Sequence, residues 1–201
     1  MLWDKQRHVI VSNEPAEIIR MFNSAFNKLT NIQDDFYPAE LRTEINALND
    51  WINPTVTLGV YSAGFAKTQE DYEQASGAVF DTFEKLDQKL SGQRYLTGET
   101  ITEADWRLFT TLIRFDAVYY RLFKLNRNQL EDYPHLNADT RDLYQHKNVA
   151  ALVYLEHTKL HYFGSFLSLN PRGLVPLGKV YDFSVPPNRA QAWEEAADVA
   201  A

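Results

Sequence analysis

Residues Arg94 to Tyr120 read RYLTGETITEADWRLFTTLIRFDAVYY, and this stretch decides the fold. Gly98 gives a turn. Thr102 is placed as an N-cap whose oxygen accepts from the N–H of Asp105 or of the residue before it, while Asp105 reaches back to the N–H of Thr102. The arrangement is a capping box with Asp in place of the usual Glu. Ile101, before the cap, and Trp106, four positions into the helix, have the spacing of a hydrophobic staple. The residues that follow, including Leu108, Phe109, Leu112, Ile113, Phe115, Val118 and Tyr119, are apolar on more than one face. A helix of that kind belongs inside a domain.

Working outward, Leu2-Trp3 and Val9-Ile10-Val11 read as a small hairpin. Ser12-Asn13 then open a helix with Ile18, Ile19, Phe22 and Phe26 at helical spacing. Two strands and one helix cannot cover one another's apolar faces. Residues 31–38 read as a linker, and from Pro38 onward the pattern is helical only. The expected helices are Ala39–Ile52, Gln69–Leu90, Glu103–Phe123, Leu136–Gln145 and Val149–Tyr162. Pro171, Pro176, Pro186 and Pro187 mark an extended segment that wraps the bundle before a short last helix near Ala190–Ala197.

Composition narrows the function classes. The net charge is −7 with no basic run, so nucleic acid is not an expected partner. No apolar run approaches the about 20 residues of a membrane span. Asp4, Lys5 and Arg7 interrupt the place where a signal peptide would need its apolar core, so a cytoplasmic location is expected. The 201 residues include no cysteine, which removes disulfides and thiol chemistry from this chain. They include 12 Phe, 11 Tyr and 4 Trp, a supply that suits a packed interior or an aromatic-lined pocket.

Three further stretches could carry chemistry. Glu14 stands where a strand passes into a helix, near backbone N–H groups that favour an anion. Gly59 to Ala66, GVYSAGFA, sets Tyr61 between glycines that allow close backbone approach. His157 to Ser165, HTKLHYFGS, places His157 and His161 one helical turn apart, a spacing that also suits a metal. No third ligand is nearby, so none is expected. Arg107, Arg114 and Arg121 recur every seven residues and read as a solvated or ion-paired helix edge.

Taken together, these segments resemble the glutathionyl-hydroquinone reductases, also called xi-class glutathione transferases. The match runs from Trp3 to about Asn188 through several separated motifs in order. Leu2-Trp3-Asp4 resembles the end of the family's VPVLWD. GVYSAGFA resembles its NGVYxAGFA, with Thr57-Leu58 in place of the paired asparagines. HTKLHYFGSF resembles HIKxHYYxSH, with Phe163 and Phe166 in place of a Tyr and a His. Leu169 to Pro176 resembles INPTRIVP. The resemblance implies a mainly α fold: a transferase C-terminal helical bundle over residues 39–201. Residues 1–30 would be a remnant of a thioredoxin-like domain, and residues 31–38 a linker.

By the same resemblance glutathione is the co-substrate and a glutathionyl-hydroquinone is the substrate. A cysteine thiolate attacks the glutathione sulfur, the hydroquinone leaves, and a second glutathione resolves the mixed disulfide. Tyr61 and Tyr162 would face each other across the hydroquinone and donate to its hydroxyl. Glu14, Trp3 and His161 would serve binding. Glu14 is followed by Pro15 where the family has a serine, which removes one hydroxyl and one N–H from the glutathione site. A homodimer, or pairing with a thioredoxin-like half, is implied as well. Three readings stay open: part of an enzyme whose nucleophile lies elsewhere, a non-catalytic helical domain binding an aromatic ligand or a partner, and a weak cysteine-independent transferase.

Overall fold

The computed structural model describes residues 1–179 and 181–189. Strands β1 (Leu2–Asp4) and β2 (Val9–Ser12) form an antiparallel pair, with Trp3 opposite Ile10 and Asp4 opposite Val9. Asp4 Oδ1 accepts from the N–H groups of Gln6 and Arg7 and so closes the turn between them. Helix α1 (Pro15–Ser24) begins with proline, whose missing N–H costs nothing in the first turn. A short helix α2 (Asn27–Thr30) precedes the linker.

The bundle comprises α3 (Arg42–Ile52), α4 (Gly59–Gly64), α5 (Gln69–Ser91), α6 (Glu103–Arg114), α7 (Tyr120–Leu122), α8 (Pro134–Gln145) and α9 (Leu155–Ser165). Its main core runs from Ile45 and Val56 through Phe80, Phe83 and Leu86 to Leu108, Phe115 and Phe123. A smaller cluster, Tyr95, Phe109, Ile113, Leu143 and Phe183, fills the space beneath the C-terminal segment, with Ile101 and Trp106 packed against it.

The α6 start behaves as its sequence requires. Asp105 Oδ2 accepts from Thr102 N at 2.7 Å and from Thr102 Oγ1 at 2.9 Å, while Oδ1 accepts from Leu96 N at 2.8 Å. One buried carboxylate therefore fixes both the helix end and the turn before it. Burial raises the Asp105 pKa against these three bonds, which hold it down. Gly98 has a φ of +109°, a conformation other residues reach only at a cost, and its carbonyl and N–H both bond Tyr95.

The expected continuous helix Glu103–Phe123 is not continuous. After Arg114 the chain widens into a π-type turn over Phe115–Tyr119, all five residues buried, with Tyr120 N–H reaching back to Phe115 O. Both flanks of this segment are apolar, and an inserted residue rotates the second half so that its own apolar side chains also meet the core. A second π-type turn, Asn53–Thr57, follows α3, and Leu58 N donates to Asn53 O at 2.8 Å. Helix α4 after it was not among the expected helices, because six residues are too few for a periodic signal. The expected Val149–Tyr162 helix divides into a 3₁₀ turn at Val149–Leu152 and α9.

The C-terminal segment does wrap the bundle. Tyr181 Oη donates to Asp116 O at 3.0 Å, and Gln145 Nε2 donates to the Phe183 and Val185 carbonyls. Arg189 donates to Asp139 Oδ1 at 2.7 Å, both side chains buried. The expected helix near Ala190–Ala197 lies outside the described residues.

The hairpin and α1 attach differently. No residue of α1 is buried, and Phe22 is half exposed. The attachment is polar: Arg20 Nε pairs with Glu103 at 2.7 Å, Arg20 Nη2 donates to Asn46 Oδ1 at 2.9 Å, and the guanidinium lies 4.0 Å from the Tyr37 ring centre. Glu103 is buried and also takes Asn49 Nδ2 at 3.0 Å.

Candidate active site

Three tyrosines from distant parts of the chain meet on one side of the bundle. Tyr61 comes from α4, just beyond the first π-type turn. Tyr119 ends the second π-type turn, and Tyr162 comes from α9. The hydroxyls of Tyr61 and Tyr162 are 2.5 Å apart, and those of Tyr119 and Tyr162 are 3.0 Å apart. Phe123 stacks on Tyr119 at 5.3 Å and lies 5.3 Å from Tyr61, so one apolar ring sets two phenols. Phe123 in turn covers Gly64, where a Cβ would collide with its ring.

The proton order in this chain follows from burial. Tyr119 is 3% exposed, and its hydroxyl has Tyr162 as its one hydrogen-bond partner among the described residues. The most buried phenol is the least able to hand its proton to water, so the order that leaves the most exposed of the three, Tyr61, as the free donor costs least. Tyr119 therefore donates to Tyr162, Tyr162 donates to Tyr61, and the Tyr61 proton is left to point outward. Burial pushes the Tyr162 phenol up to about 12 and raises Tyr119 as well, so both keep their protons. A run of hydroxyls polarises in one direction, which strengthens the last donor.

That last donor opens on a cleft of about 510 Å³, whose wall also carries Thr111, Arg114, His157 and His161. His161 packs edge-on against Tyr162 at 5.3 Å, and its Nδ1 lies 3.3 Å from Ser165 Oγ. Among the described residues no group of three His, Cys, Asp or Glu side chains gathers as a metal site. Phe166 packs on Tyr162 at 5.5 Å, behind the cleft wall.

The hydroxyls of Tyr61 and Tyr162 meet at one cleft and touch directly, with no gap between them. Arg114 leaves the helix edge on which Arg107 sits. It turns into the cleft where α6 gives way to the π-type turn, while Arg107 pairs with Glu103 at 3.5 Å. Tyr119 was read only as a core residue. Its place at the end of an apolar run hid it, and no local pattern marks a π-type turn.

Glu14 and Trp3 lie outside this cleft. Glu14 occupies the N-cap position of α1 with no side-chain cap bond, and its own N–H donates to Ser12 Oγ at 3.1 Å. Trp3 is exposed and packs edge-on against His8. A second cleft of about 500 Å³ lies between α1 and α6, lined by Ile19, Phe22, Phe26 and Trp106. Its charged groups are paired, Arg20 with Glu103 and Asp34 with Lys147, so it offers mainly apolar surface.

The chain is similar to known proteins. Residues 69–138 match the family model described as glutathione S-transferase, C-terminal domain. A glutathionyl-hydroquinone reductase from Escherichia coli K-12, YqjG, is 48% identical over 189 residues, covering 94% of this chain and 58% of that protein. Over the residues it spans, the chain is similar to the glutathionyl-hydroquinone reductases and xi-class glutathione transferases. PcpF, the glutathionyl-hydroquinone reductase of Sphingobium chlorophenolicum, is 47% identical across 89% of this chain and 57% of its own length. The glutathione-bound structure of YqjG superposes with a TM-score of 0.91, covering 94% of this chain and 61% of that one. A xi-class transferase from Natrialba magadii, 37% identical, also gives 0.91, with coverage of 94% and 58%. The chain thus spans about three fifths of the length of these relatives, in a mainly helical transferase fold with a small two-stranded sheet. Among the described residues no helix is long and apolar enough to cross a membrane.

Proposed function

We propose that the cleft beside Tyr61 binds the hydroquinone ring of a glutathionyl-hydroquinone and stabilises negative charge on its oxygen as the carbon–sulfur bond breaks. The observation that carries this reading is the hydroxyl chain from Tyr119 through Tyr162 to Tyr61, which ends on the cleft wall. In the reaction a thiolate attacks the glutathione sulfur and forms a disulfide. The sulfur-bearing ring carbon has first taken a proton as the keto tautomer, so the electron pair of the broken carbon–sulfur bond re-forms the aromatic ring and leaves negative charge on its oxygen. A donor already aimed at that oxygen lowers the barrier without reorganising. Tyr61 is the donor, Tyr162 and Tyr119 position it, and His161 packs the wall.

The thiolate is not one of these 201 residues, which include no cysteine. In this reading residues 39–201 form the quinol-binding helical domain. Residues 1–30 belong to a thioredoxin-like unit, joined through residues 31–38. Glu14 and Trp3 belong to the glutathione side, where Glu14 meets the ammonium of the γ-glutamyl group. The glutathione bound in the YqjG structure supports glutathione as the co-substrate. The absence of a thiol favours a second reading, a helical domain that binds an aromatic diol without turning it over.

Titration of the purified chain with hydroquinone, followed by tyrosine fluorescence and calorimetry, separates these ideas. Saturable binding weakened by Tyr61→Phe supports the cleft assignment, and binding indifferent to Tyr61→Phe removes it. Reduction of a glutathionyl-hydroquinone by glutathione above the uncatalysed rate would refute the need for an outside thiolate.

A further inference from the structure

We propose that Arg114 is a specificity residue that pairs with a carboxylate on the aromatic ligand, so that the cleft prefers carboxylated hydroquinones over the plain diol. The proposal rests on the reading that the cleft takes an aromatic diol. Arg107 is satisfied by Glu103, and the Arg121 guanidinium lies against Gly178. Arg114 alone of the three enters the cleft. Among the described residues it forms no ion pair, and its one hydrogen bond goes to the Thr110 carbonyl on its own helix. A guanidinium has five N–H donors, so most of its fork is uncommitted.

Among the described residues the cleft wall contains no carboxylate to neutralise it; its other polar groups are threonines, tyrosines and two histidines. In a chain of net charge −7, an unpaired arginine beside three phenols is a local reversal of sign. Its charge already acts on the Tyr162 phenol, opposing the upward push of burial. A planar fork suits a carboxylate, which it can hold through two parallel bonds. Tyr61 takes the ring oxygen and Arg114 takes the substituent, so one flat ligand spans two fixed donors. The carboxylates of glutathione are the competing source of the same chemistry.

The test is calorimetry of the full chain with 2,5-dihydroxybenzoate, hydroquinone and glutathione, for the natural sequence and for Arg114→Gln, Arg114→Lys and Tyr61→Phe. A charge-assisted pair should make dihydroxybenzoate bind about tenfold or more tighter than hydroquinone, and the ratio should shrink with added salt. Arg114→Gln should bring the ratio to within about twofold, and Arg114→Lys should keep part of it, because lysine supplies charge without the fork. A ratio near one in the natural sequence, or one that survives Arg114→Gln, overturns the assignment. So does a loss confined to glutathione, which would place the guanidinium on the peptide instead. If hydroquinone binds through Tyr61 and the carboxylate adds nothing, Arg114 alone is misassigned. If neither diol binds, or Tyr61→Phe changes neither affinity, the diol reading falls with it.

Discussion

Tyr162 is the middle of the hydroxyl chain, and Tyr162→Phe tests the whole proton order. The phenylalanine ring keeps the packing on Phe123 and Phe166, so the perturbation is one oxygen. That oxygen makes two hydrogen bonds, at 2.5 and 3.0 Å. Its loss removes both and leaves the nearly buried Tyr119 hydroxyl with no protein partner among the described residues. Taking about 1 kcal/mol net per bond, with the higher cost where a buried donor is left alone, the sum is about 2–3 kcal/mol. For a chain of this length that corresponds to a fall in Tm of about 4–12 °C. Tyr119→Phe should cost only about 0.5–1.5 kcal/mol, because Tyr162 still donates to Tyr61 and leaves nothing unsatisfied. Tyr61→Phe should cost least in stability, since water in the cleft can accept from Tyr162, and most in hydroquinone affinity. Urea unfolding of the three variants gives the first ranking and calorimetry the second. A Tyr162→Phe variant no less stable than Tyr119→Phe would refute the proton order, and with it the outward donor at Tyr61.

Gly64→Ala should destabilise by about 1–3 kcal/mol, the usual cost of an extra methyl in a filled core, because the new Cβ meets buried Phe123. Displacing Phe123 should also weaken hydroquinone binding, and a stable variant with a normal cleft would remove Phe123 as the setting ring. Asp105→Ala should leave the N–H groups of Leu96 and Thr102 without acceptors at about 1–3 kcal/mol each, and urea unfolding reads the total. Asp139 is pushed up to about 8, chiefly by burial and further by Asp105, with Arg189 opposing. A raised folded pKa makes its contribution full below about pH 4 and lost as pH rises through about 8. The stability of Asp139→Asn relative to the natural sequence should therefore improve across that window, and a flat difference would contradict the shift. Residues 2–26 should exchange their amide protons before the bundle does, because Ile10, Phe22 and Phe26 stay half exposed. Strong protection there in a monomer would show cover that the structure does not.

How far the sequence could be read depended on whether the information was local. The capping box at Thr102 and Asp105 was legible because both partners sit within four residues and the chemistry is fixed by residue type. The hairpin was legible as two short apolar runs about a charged turn, and α1 by the Ile18, Ile19, Phe22 and Phe26 spacing. Tyr61 and Tyr162 could be singled out only through the motifs around them, since a phenol among eleven carries no mark of its own. Their contact, the third phenol at Tyr119 and the inward turn of Arg114 were not legible. Each depends on a π-type turn, and a one-residue insertion in the helical register leaves the apolar pattern of an already two-faced helix unchanged. Glu14 and Trp3 stand where the motif placed them in sequence, but nothing in the cleft draws them in.

The two π-type turns account for why this bundle can hold an uncompensated polar cluster at all. In a regular helix, Arg114 and Tyr119 are five positions apart and point away from each other by well over a right angle. The inserted residue over Phe115–Tyr119 shifts the later side chains, so that Tyr119 and Arg114 line one cleft. The turn at Asn53–Thr57 acts likewise ahead of α4 and delivers Tyr61 to the same place. Wider turns cost hydrogen-bond geometry, and they persist here because buried Val56, Phe115 and Val118 anchor them in the main core. The stability of the apolar core thus holds the widened turns that aim the phenols. Softening either turn should disperse the hydroxyl chain before it unfolds the bundle.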